Sequence, residues 1–128
     1  MSGLTAYRRI LAIAFLMIGL ISIFAPARFA SLYGLDFASP VGAASLAAIL
    51  GGGELAIGLA LAAPRYVGLT ETGIIRFVAL LLACVAATRL LWLAVFGVWS
   101  VGILAELALE LIVIGLAIWL LRGRTVPA

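Results

Sequence analysis

At 128 residues the chain has room for one domain of about four membrane spans of ~20 residues with short connections. It is 67% hydrophobic and only 10% charged, with a mean hydropathy of +1.38, which excludes a water-soluble globular domain. The net charge of +3 would suggest nucleic acid in a soluble protein. Here all eight basic residues are arginines and most flank apolar runs, so no nucleic-acid partner is expected.

The first apolar run, Ile10 to Ala27, follows Arg8 and Arg9 and predicts a span over about 8–25. A basic start and an Ala25-Pro26-Ala27 segment also resemble a signal peptide, but the run is long for one and the central proline is a poor processing signal. The connection that follows, about 26–40, reads PARFASLYGLDFASP. Phe29, Leu32, Tyr33, Leu35 and Phe37 make it too apolar for a solvated loop, so it is expected in the membrane interface or folded back on the helices. Gly34 is expected to turn the chain there, with Asp36 accepting from backbone amides.

Ser39-Pro40 is a helix start, a capping hydroxyl before a first-turn proline, and the second span is expected over about 41–63, ended by Pro64. Ala44, Ala48, Gly52, Ala56 and Ala60 recur every four residues along it, a smooth stripe against which another helix can pack closely. Gly51-Gly52-Gly53 immediately precedes Glu54. It is no nucleotide loop, having no preceding strand and no following lysine. The glycines are read as permitting close packing, with local loosening of the helix as the alternative.

The third span is expected over about 73–96, with Thr70 a candidate cap and Gly97 the stop. It holds the single cysteine, Cys84, read as a small buried packing residue. With no histidine and no second cysteine, an intrachain disulfide, a Cys/His metal centre and thiol-pair redox chemistry are excluded. Ser100 caps the fourth span, about 101–121, which Gly123 closes. The expected fold is therefore all-α, an integral membrane four-helix bundle in a single domain.

Arginine counts set the orientation. Arg8, Arg9, Arg65, Arg122 and Arg124 share one side, with Arg76 just inside the third span, and Arg28 stands alone on the other. Both termini are accordingly expected in the cytoplasm. Tyr7 and Trp119 are expected near one interface, and Tyr33, Trp92 and Trp99 toward the other.

Four ionisable side chains fall inside the spans: Glu54, Arg89, Glu106 and Glu110. A charge at the bilayer centre costs roughly 2.5–3.5 kcal/mol on insertion scales, so these residues require partners. From helical rise, Glu54 and Glu110 lie roughly 15–16 Å from the cytoplasmic end, and Arg89 and Glu106 roughly 22–24 Å. The third and fourth spans form an antiparallel hairpin, so Arg89 meets Glu106 at one level, and Glu110 shares the face of Glu106 one turn away. The arginine fork is expected to bridge both glutamates. Glu54 has no base at its own depth and is expected to carry a proton near neutral pH.

Arg28–Asp36 (RFASLYGLD), Gly51–Gly58 (GGGELAIG), Thr88–Leu91 (TRLL) and Ala108–Leu111 (ALEL) carry a resemblance. The chain resembles, over nearly its whole length, the DoxX-like small bacterial membrane proteins, in particular the four-helix domain-of-unknown-function 4345 family. That resemblance implies a four-helix inner-membrane fold, with Glu54, Arg89 and Glu110 at its motif positions. Glu106 lies outside the family pattern. The thiosulfate-oxidising chemistry associated with DoxX itself is not carried over, because no redox-cofactor ligands are present.

The function expected is that of a non-enzymatic accessory or structural subunit, with no cofactor and with a membrane-protein partner or a second copy besides the lipid bilayer. The alternative is a small proton- or cation-linked transport or binding protein acting as a dimer. An enzyme is not expected, since only carboxylates could act as acid or base.

Overall fold

The structure is a computed structural model, and it describes residues 2–37, 39–97 and 100–122. Trp99, Gly123 and Arg124 lie outside the described residues, as does the side chain of Trp92. The described residues are all-helical apart from turns and connections, and four helices are long and apolar enough to cross a membrane. We number the helices α1 (Gly3–Phe24), α2 (Pro26–Ser31), α3 (Pro40–Ala62), α4 (Glu71–Phe96) and α5 (Val101–Leu121). The chain forms two compact units, 1–71 and 72–128.

In the first unit α1 begins earlier than its apolar run. Ser2 Oγ accepts from the Thr5 amide, satisfying one of the unpaired donors of the first turn. Leu4, Tyr7, Leu11, Phe15, Gly19 and Ser22 then form one buried face at three- and four-residue spacing. Tyr7 is thus turned inward as part of the packed face, whereas Trp119 on α5 is exposed. Ala25 leaves the helical region ahead of Pro26, whose ring disfavours helical backbone before it, and this separates α1 from α2.

α3 is capped by Ser39 Oγ, which accepts from the Gly42 amide, and carries a π-helical segment at Ala47–Gly51. Its packing against α1 runs through glycines. A Cβ added to Gly51 would lie 2.7 Å from Ile23 Cγ1, and one added to Gly58 would lie 2.8 Å from the Leu16 amide nitrogen. Backbone therefore approaches backbone, which matters in lipid, where helix association depends on van der Waals contact.

The 26–40 connection divides by face. Phe29 and Ala30 of α2 are buried, with the Phe29 ring 5.2 Å from that of Tyr33, while Leu32 and Leu35 are exposed. Gly34 makes the turn in the left-handed region, φ +68°, which a side chain would oppose. Asp36 Oδ1 accepts from the next amide, that of Phe37.

In the second unit, Ala86 and Leu93 of α4 lie one heptad apart and pack on Leu107 of α5, with Ile103 against them. Gly97, at φ +62°, follows the end of α4, and Ser100 Oγ caps α5 by accepting from the Ile103 amide. Cys84 is exposed rather than buried. It precedes Ala86 by two residues, some 200° round the helix, and so faces away from that core. The Thr88 hydroxyl, one turn on, donates back to the Cys84 carbonyl.

Candidate functional site

The antiparallel α4–α5 hairpin brings Arg89, Glu106 and Glu110 together. Arg89 Nε donates to Glu110 Oε1 at 2.9 Å, and Arg89 Nη1 lies 2.6 Å from Glu106 Oε2. The second contact is an ion pair outside hydrogen-bonding alignment, and Oε2 of both glutamates is buried without a hydrogen bond. One guanidinium faces two carboxylates. With all three ionised, the group keeps one uncompensated negative charge. Glu110 is the more enclosed acid, its side chain 11% exposed against 32% for Glu106.

Glu54 belongs to the first unit. Its Oε2 is buried and accepts no hydrogen bond. It stands three residues past the π-helical segment, whose wider i→i+5 pattern ends on Gly51, the first of the three glycines. Those glycines divide the work that the sequence left open between packing and loosening. Gly51 is buried against Ile23 and Gly19, whereas a Cβ on Gly52 or Gly53 would meet nothing within 4 Å. Close packing belongs to the first glycine alone.

The small-residue stripe does not form the α1 contact. Ala44, Ala48 and Ala56 are exposed, and Gly52 and Ala60 are half-buried. The α1–α3 contact uses the adjacent row, Gly51, Leu55 and Gly58.

One polar group in the described residues was not foreseen from sequence. Arg8 Nε donates to Glu71 Oε1 at 2.9 Å, and Nη1 donates to the Leu61 carbonyl and, at 3.1 Å, to that of Ala62. Thr5 Oγ1 donates to the other Glu71 oxygen at 3.4 Å. Arg8 thereby satisfies carbonyls left open at the end of α3 and neutralises the acid that opens α4. An open cleft of about 670 Å³ lies beside this group, lined by Arg8, Arg65, Pro64, Leu69 and Thr70 among others. The available sequence signal was an acid directly after Thr70, in the first turn of a helix, where carboxylates are favoured.

Among the described residues, no three His, Cys, Asp or Glu side chains converge as a metal site would require. In comparisons with family models, curated proteins and solved structures, nothing matched the chain.

Proposed function

We propose that the chain is a DoxX-like four-span protein of a bacterial inner membrane, with both termini in the cytoplasm, acting as a non-enzymatic accessory subunit. In this reading the Ala44–Ala60 stripe docks a partner membrane protein or a second copy. The carrying observation is that α3 has two smooth rows. The Gly51/Gly58 row is occupied by α1, while Ala44, Ala48 and Ala56 of the other row are exposed. The arginine distribution supports the orientation.

The π-helical segment beside Glu54 favours a second reading, a dimeric proton- or cation-linked transporter, because such irregularities occur at binding sites within spans. Two substitutions separate the readings. Ala56→Leu abolishes association and Glu54→Gln is mild if the protein is an accessory subunit. Association that survives Ala56→Leu, with function lost in Glu54→Gln, refutes docking and leaves transport.

A further inference from the structure

The cleft beside Arg8 lies apart from Glu54 and the Arg89 group in its chemistry, and the docking reading assigns it no role. Its charge is not balanced. Arg8 and Glu71 cancel each other through the bond at 2.9 Å, and Thr5 occupies the second carboxylate oxygen. Arg65, which also lines the cleft, is exposed and has no ion-pair partner among the described residues. Arg8 uses Nε and Nη1 internally, leaving Nη2 of the same guanidinium without a bond among the described residues. Arg65 and Arg8 thus both line a cleft of about 670 Å³ whose charged lining residues, Arg8, Arg65 and Glu71, carry one net positive charge.

Apart from Thr70 the remaining wall is apolar, with Pro64 and Leu69 beside the arginines, and the exposed Tyr66 follows Arg65 in the chain. The cleft lies at helix termini, by the first turns of α1 and the end of α3, where a spanning chain meets the headgroup layer. Arginine pairs with phosphate through parallel N–H donors, and basic pockets at this level take anionic headgroups. A cation would be repelled by the same groups. We propose that this cleft binds a phosphate-bearing anion, either the headgroup of an anionic lipid or free phosphate.

The test is native mass spectrometry of the detergent-purified full chain, presented with phosphatidylglycerol or phosphatidylcholine. The wild type retains phosphatidylglycerol in preference to phosphatidylcholine. Arg65→Ala lowers that retention about fivefold, the worth of one arginine near an anionic surface. Arg122→Ala, which removes the same charge from an exposed arginine that does not line the cleft, leaves retention unchanged. Competition by inorganic phosphate identifies free phosphate as a ligand. Retention undisturbed by phosphate identifies the lipid headgroup. Equal retention of the two lipids by the wild type, or equal losses in the two arginine variants, overturns the proposal. Because Arg65 is exposed, its replacement leaves the folded protein intact for the measurement.

Discussion

Gly19→Ala tests how α1 and α3 are held together. A Cβ at position 19 would lie 2.7 Å from the Leu55 amide nitrogen, 3.0 Å from the Gly51 carbonyl oxygen and 3.0 Å from Leu55 Cα. All three atoms are backbone, so no side chain can rotate aside. Ordinary contact begins near 3.4 Å, which requires the helices to separate by about 0.7 Å (3.4 − 2.7) at this level. A gap of that size forfeits roughly a quarter to a half of the dispersion energy of each contact it opens. In lipid, that contact energy is a principal term holding helices together. The expected loss is about 1–3 kcal/mol, the usual range for overpacking a tight site. Gly53→Ala is the control, because a Cβ there meets nothing within 4 Å and the added methyl improves helix propensity by roughly 0.5–1 kcal/mol. Thermal melts in detergent, read as the monodisperse fraction on size-exclusion chromatography, should place Gly19→Ala several degrees below wild type and Gly53→Ala at or above it. A Gly19→Ala protein that melts with wild type, or a Gly53→Ala protein that falls equally far, would refute the glycine-contact reasoning.

Arg89→Leu leaves Glu106 and Glu110 without their shared cation and should cost about 3 kcal/mol, whereas Glu54→Leu removes an acid with an unpartnered oxygen and should cost less. Expression and melting temperature compared side by side check this, and an inverted order would sink the clasp. Arg8→Gln removes the ion pair with Glu71 and the guanidinium bonds to Leu61 and Ala62, so a loss of about 2 kcal/mol is expected from charge-assisted bonds in a half-buried setting. The same melts check it, with Arg122→Gln, an exposed arginine, for comparison.

The spans were legible because each apolar run is long enough and is punctuated by residues with strong backbone preferences. Pro26 and Pro64 stop helices, while Ser39 and Ser100 start them through side-chain caps. The meeting of Arg89 with Glu106 and Glu110 was legible for a geometric reason. A short connection fixes the hairpin register, and the fixed rise per residue then sets the depth of each side chain. Facing was harder to read, because α3 and α4 are apolar nearly all round and give little periodic signal. Hence the expectation of a buried Cys84 fails, and periodicity alone does not separate the Gly51/Gly58 row, which meets α1, from the Ala44–Ala60 stripe. The Arg8–Glu71 pair was hidden for another reason. Its members are 63 residues apart, and an arginine at the edge of a span already has a sufficient explanation as a topological anchor.

The central claim, that the open row of α3 docks another membrane protein or a second copy, is tested most directly by weighing the particle. The full chain is extracted gently from its own membrane at native levels, and its mass is measured intact alongside that of Ala56→Leu. The account predicts a wild-type particle with one further protein chain at fixed stoichiometry, and a bare monomer for the variant. A bare monomer for the wild type, or a complex that Ala56→Leu leaves whole, would contradict it.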